Sequence, residues 1–318
     1  MQSLKYYINN LQDFGLALLY KFGWLLSDKL YLKIRFRLVL GQRLHLKHPQ
    51  TFSEKLQWLK LYDRCPEYTI MVDKVKVKKY VAEKIGEEYI IPTLGVWENP
   101  DDIDFDTLPN QFVLKCNHNS GIGMCICTDK TQLDISKVKE ELRKGLRENY
   151  YLRGREWPYK DVQRRILAEL FMAAENDEGS LKENSEKKVD LRDYKFFCFN
   201  GVPKLCQVIS DRTTDEKIDF YDMSWNKVEG LIGLSENVRN SDEVIPCPYS
   251  YDKMKEMAHI LSKDLPFSRI DFYEINRNPY FGEITFYPAC GFGKFRPNEW
   301  NTIIGTWLHL PIEMKRFK

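Results

Sequence analysis

An α+β fold is predicted for this 318-residue chain by three features of its sequence. Up to residue 86 apolar residues recur at helical spacing. Beyond Pro109 they gather into short strand-like runs, and two further helical stretches separate those runs.

The first element is an amphipathic helix over 11–26, marked by Leu11, Phe14, Leu18, Phe22 and Leu25 at three-and-four spacing. A second helix is expected over 51–61, with Thr51 or Ser53 as its cap and Phe52, Leu56 and Leu59 on its apolar side. A third runs from near Asp73 to Gly86, where glycine can adopt the left-handed cap. Strands follow at 112–114, 166–168, 196–199, 205–209, 270–273 and 280–286, with helices at 135–147 and 250–262 among them. Residues 173–192 hold six acids, four bases and no aromatic residue, which reads as an exposed loop.

The length supports a hydrophobic core without disulfide staples, and 43% hydrophobic residues at a net charge of +2 exclude a disordered chain. Basicity is local: the first fifty residues hold eight Lys/Arg against Asp13 and Asp28. Tyr6, Tyr7, Tyr20, Trp24 and Tyr31 lie beside Lys29, Lys33, Arg35, Arg37, Arg43 and Lys47. Residues 1–47 therefore suit either an anionic membrane surface or a helix docked on the protein's own core with a solvated basic face. No apolar run reaches the ~18 residues of a membrane span. No signal cleavage site is evident, so a cytoplasmic protein is expected, at most peripheral at the inner membrane face. The eight cysteines form no CxxC pair and read as reduced core residues. Zinc is not expected, and no recognition motif points to nucleic acid.

Two places carry chemistry. Lys115 ends a strand and is followed by Asn117-His118-Asn119-Ser120-Gly121-Ile122-Gly123. Small residues there let backbone N–H groups close over phosphates while the lysine supplies countercharge. Near the C-terminus, period-two alternation puts Arg269 and Asp271 on one strand face, and Glu283 and Thr285 on one face of the returning strand. Asp271 and Glu283, if opposed, make oxygen ligands suited to Mg²⁺.

In this order and spacing, with Asp73-Lys74 at a helix start and 166–171 (Ile-Leu-Ala-Glu-Leu-Phe) before the long loop, these features resemble the ATP-grasp superfamily. The runs at 51–62, 193–201 and 282–288 are similar to its TupA-like branch, associated with teichuronopeptide and other surface polysaccharide synthesis. The resemblance implies two α+β lobes gripping ATP behind a helical N-terminal extension. Its domains would be the extension at 1–65, a grasp domain at 66–310 (small lobe about 110–165, large lobe about 166–310) and a tail at 311–318. Lys74 and Lys115 would bind phosphates, with Ser120, Gly121 and Gly123 covering them. Glu169, Leu170 and Phe171 would form the adenine hinge, and Glu175 would take the ribose. Asp271 and Glu283 would hold Mg²⁺, with Thr285 where relatives commonly carry Asn. Lys195 and Arg269 would act at the reacting groups. The implied activity joins an amino acid to a carboxyl-bearing sugar or glycan through an acyl phosphate. Two rivals remain: a glycosyltransferase using Asp102, Asp104 and Asp106, and a membrane-recruited scaffold without catalysis.

Overall fold

The computed structural model describes residues 11–172, 192–210, 215–235 and 238–311. Most of the expected loop at 173–192, Tyr6, Tyr7 and nearly all of the C-terminal tail lie outside these residues. Two helices lead the described chain, α1 (Leu11–Phe22) and α2 (Asp28–Leu40). The sequence reading missed α2, whose Ser27 caps the Leu30 N–H. Next comes α3 (Phe52–Tyr62), where Thr51 and Glu54 form a reciprocal capping box. Ser53, the other candidate cap, instead bonds Asn301 at 3.1 Å. Helices α4 (Glu67–Val72) and α5 (Lys76–Ile85) follow, broken at Asp73. Gly86 ends α5 at φ 114° and ψ 148°, a glycine conformation outside the expected left-handed cap.

The smaller sheet has strands β1 (Thr93–Trp97), β2 (Phe112–Cys116), β3 (Met124–Cys127) and β4 (Ile166–Leu170), all antiparallel, in the order β1-β4-β2-β3. Helix α6 (Ile135–Arg147) lays Val138 and Leu142 onto it, and the short α7 (Tyr150–Gly154) follows. The sequence reading gave residue 166 to the large lobe and began the small lobe near 110. Here β4 is an inner strand of the smaller sheet, and β1 lengthens that lobe at its start. A run as apolar as Ile166-Leu167-Ala168 needs cover on both faces, which an inner position supplies.

The larger sheet runs β10-β9-β5-β6-β7, built from β5 (Asp193–Phe199), β6 (Val202–Ser210), β7 (Lys217–Tyr221), β9 (Phe267–Ile275) and β10 (Asn278–Thr285). A two-residue strand β8 (Ile232–Gly233) pairs with β11 (Phe295–Arg296). Helix α8 (Tyr251–Ser262) covers one face with Met254, Met257, Ala258 and Leu261, and α9 (Trp300–Trp307) packs on α3. Phe52, Leu56 and Leu59 of α3 join this main core, so α3 belongs with the large lobe rather than with the extension. Cys116, Cys127, Cys198 and Cys206 are buried as expected, whereas Cys247 is exposed.

Candidate active site

Three neighbouring strands of the larger sheet assemble a charged row. Pairing sets Lys195 of β5 opposite Asp271 of β9, and Asp271 opposite Glu283 of β10, while Arg269 faces Thr285. A β-bulge at Gly282 produces this register. Before the bulge Phe281 pairs with Phe272; after it Glu283 pairs with Asp271.

Asp271 is 1% exposed and takes bonds from two cations. Its Oδ1 accepts from Arg269 Nε at 2.7 Å; its Oδ2 accepts from Arg269 Nη2 at 2.7 Å and Lys195 Nζ at 2.6 Å. The same Nη2 reaches Glu283 Oε1 at 2.9 Å and Thr285 Oγ1 at 3.1 Å. Among the described residues, Arg269 Nη1 makes no side-chain hydrogen bond, leaving one arm of the guanidinium fork for a ligand. Although burial pushes the Glu283 carboxyl up, Arg269, Lys74 and Lys195 hold it down at about 2.

No three-residue His/Cys/Asp/Glu cluster suited to a metal occurs among the described residues. Asp271 Oδ2 and Glu283 Oε1 nevertheless converge on one cationic point, the Arg269 nitrogen. Two hard oxygens meeting at one positive centre fit Mg²⁺, which takes few protein carboxylates and completes its shell with phosphate and water.

The smaller sheet supplies Lys115, and Lys74 and Lys78 come from the start of α5 and the residues before it. Val113 pairs with Glu169 and Lys115 with Leu167, so Lys115 and Glu169 are diagonal neighbours on one face of the sheet. The Glu169 carboxylate is buried between Lys115, which it contacts directly, and Lys78 at 2.7 Å. Burial raises its pKa, but these two lysines outweigh burial and lower it. Of the expected hinge, Leu170 gives its N–H to the Pro92 carbonyl at 3.0 Å, Phe171 is half-buried, and Glu175 lies outside the described residues. Lys74 donates to the Asn119 carbonyl at 2.6 Å. Burial depresses its pKa, Glu283 opposes that, and Lys115 adds to it, so charges of both lobes act on one another.

The loop at 117–123 is held from behind. Asn117 donates to Asp73 Oδ1 and the Gln163 carbonyl, both at 2.8 Å, and accepts from the Arg165 N–H at 2.7 Å. Asn119 reaches the Gly145 carbonyl at 3.0 Å. The asparagines that make this loop poor in glycine therefore anchor it, leaving Ser120 exposed at its tip. Gly121 and Gly123 have φ of 81° and 69°, and a Cβ on Gly123 would stand 2.7 Å from the Gly145 backbone.

Asp73, Lys78 and Asp193 received no role from the sequence, where Asp73 figured only at a helix start beside Lys74 and Asp193 only as the first residue of the 193–201 run. Asp73 bonds Asn117, Arg165 and the Val75 N–H, fixing the chain on both sides of Lys74. Asp193 lies 3.5 Å from Lys195. Alternation along Asp193-Tyr194-Lys195 was the available signal. Asp102, Asp104 and Asp106 lie exposed in short turns anchored by buried Ile103 and Phe105, and the Asp104 side chain caps the Asp106 N–H.

His118 gives a pH prediction. Its Nε2 meets the Glu148 carbonyl at 3.1 Å, its buried Nδ1 has no hydrogen-bond partner among the described residues, and burial lowers its pKa to about 4. Glu148 O favours the proton, while Arg164 and Lys74 oppose it and Asp73 partly compensates. An unfolded histidine titrates near ~6.5, so the stability from keeping His118 neutral is complete above that pH and is lost as pH falls through about 4. Thermal unfolding followed between these values should show a falling midpoint, with a flatter dependence in His118→Gln. Equal slopes would exclude His118 as the source.

The family model for TupA-like ATP-grasp proteins matches residues 54–309. No curated protein matches the chain. Among solved structures, the D-alanine–D-alanine ligase of Bacillus anthracis complexed with ATP is 18% identical, with a TM-score of 0.38 over 68% of this chain and 54% of that one. The chain thus spans about half the length of that ligase. The Helicobacter pylori D-alanine–D-alanine ligase is 15% identical, with a TM-score of 0.44 over 81% of this chain and 69% of that one. The ATP-grasp ligase PsnB, complexed with a phosphomimetic precursor variant, Mg and ADP, is 10% identical, with a TM-score of 0.38 over 96% of this chain and 75% of that one. These overlaps are loose, and the assignment rests on the family match over most of the sequence: the chain belongs to the TupA-like ATP-grasp family.

Proposed function

We propose that the protein is a cytoplasmic ATP-dependent carboxylate–amine ligase that joins an amino acid to a carboxyl-bearing sugar or glycan during surface polysaccharide synthesis. The observation that carries this reading is the Lys195–Asp271–Glu283 row bound by Arg269, within electrostatic reach of Lys74. ATP binds between the lobes. Lys74 and Lys115 meet its phosphates, the 120–123 tip covers them, and residues 169–171 with Glu175 border the adenosine. Asp271 and Glu283, with Thr285 beside them, hold Mg²⁺, which when bound neutralises phosphate charge.

A substrate carboxylate oxygen attacks the γ-phosphorus as the bond to the β-phosphate oxygen breaks, giving an acyl phosphate and ADP. The Nη1 arm of Arg269 steadies charge on the transferring group, and Lys195 holds Asp271 in place. An amine then attacks the acyl carbon and loses a proton, and phosphate leaves. The chain's main contribution is alignment and exclusion of water, which suits a loop fixed at its base and open at its tip.

ADP and phosphate should be released only when a carboxylate and an amine are both supplied, and hydroxylamine should trap a hydroxamate. Amino acids screened against uronic-acid nucleotides and lipid-linked glycans would identify the pair. AMP and pyrophosphate as products would overturn the acyl-phosphate route. Sugar transfer without ATP would favour the glycosyltransferase, and failure to bind nucleotide would favour the scaffold.

A further inference from the structure

A helix docked on its own protein ordinarily buries its widest apolar face, and α1 does the reverse. With the turn that follows, Gly23–Leu25, it meets α2 along Gly15, Leu19 and Gly23. A Cβ on Gly15 would stand 3.1 Å from Leu38, and one on Gly23 only 2.6 Å from Tyr31. Small residues thus draw the two helices together, while much of the apolar side of α1 and of the turn after it faces outward. Phe14, Leu18, Phe22 and Leu25 are all exposed, joined by Leu30 and by Trp24, which is 64% exposed. Single exposed apolar residues are ordinary; this many large ones on two short helices and the turn that joins them mark an interaction surface.

The charge around them indicates what covers it. Lys21, Lys29, Lys33, Arg37, Arg43 and Lys47 are exposed, while Asp28 is engaged by Arg64 and Tyr151. A groove of about 630 Å³ beside α2 combines Lys33, Arg37 and Arg43 with Ile34, Leu38 and Leu44. Apolar side chains and cations presented together match an interface whose outer layer is anionic and whose inner layer is hydrocarbon. A second copy of the same surface would set these bases against one another.

We infer that α1 and α2 form a docking surface for an anionic lipid bilayer: the outward face of α1 enters the headgroup boundary, and the basic groove takes lipid phosphates. Vesicle binding by the full-length protein, without nucleotide, tests this independently of any ligase activity. Phosphatidylcholine vesicles with about 30% phosphatidylglycerol should sediment with the protein at least about tenfold better than phosphatidylcholine alone. Raising salt from about 0.1 M to about 0.5 M should release it. The triple variant Lys33→Glu, Arg37→Glu, Arg43→Glu and the double variant Leu18→Ser, Phe22→Ser should each lose the binding while retaining ATP binding and the thermal midpoint. Equal binding to both vesicle types would overturn the inference. So would a dimer that forms without lipid and is lost in the Leu18/Phe22 variant.

Discussion

Arg269→Ala is expected to slow turnover by about 10²–10³-fold while ATP affinity changes only a few-fold, as for loss of one preorganised donor at developing charge. The expectation follows from how the guanidinium is held. Two bonds to Asp271 and one each to Glu283 and Thr285 fix it, leaving Nη1 without a side-chain partner among the described residues. A side chain immobilised in this way gives up little entropy when it meets an oxyanion. Arg269→Lys keeps a charge but loses the fork, so it should recover only part of the rate. Single-turnover measurement with saturating ATP isolates the step. ATP affinity falling in proportion to turnover would instead make Arg269 a nucleotide-binding residue.

Asp271→Ala should destabilise the protein by about 3–5 kcal/mol, the range for removing one partner of a buried ion network. Asp271 is the common acceptor of Arg269 and Lys195; without it Lys195, itself 6% exposed, keeps among the described residues only Asp193 at 3.5 Å. The thermal midpoint should fall by roughly 5–10 °C. Adding Lys195→Met should return part of the loss, because it removes the cation left without its acceptor. A single variant within about 0.5 kcal/mol of the parent, a surface-like value, would show that the network does not bear on stability.

Much of this was legible in the sequence because it rests on local rules. Alternation placed Arg269 with Asp271, and Glu283 with Thr285, on shared strand faces. Helical spacing gave 135–147 and 250–262 to within a residue of their observed bounds, and Thr51 was one of the two caps open for α3. Lys115 and its loop were visible as a strand end followed by small residues. The roles of Asp73 and Lys78 were not, since they depend on Asn117, Arg165 and Glu169, far away in sequence. The stripe that packs α1 was hidden as well. Large apolar residues dominate any periodicity, whereas close helix contact selects the smaller Gly15 and Gly23.

The pairing at the centre of the site shows where the sequence stops and the tertiary structure begins. A tight turn at Asn276 and Arg277 continued in simple register would place Gly282, not Glu283, opposite Asp271. Glu283 reaches that position only because the bulge adds a residue to β10, and a one-residue slip transfers a side chain to the other face of a sheet. The sequence by itself named the candidate side chains of the site and the strands that present them. Packing decided the register, by burying Phe281 and Ile284 on one side of the bulged strand while Asp271, Glu283 and Arg269 converge on the other. No local signal states that balance, because it is settled between the apolar face of β10 and the core it covers.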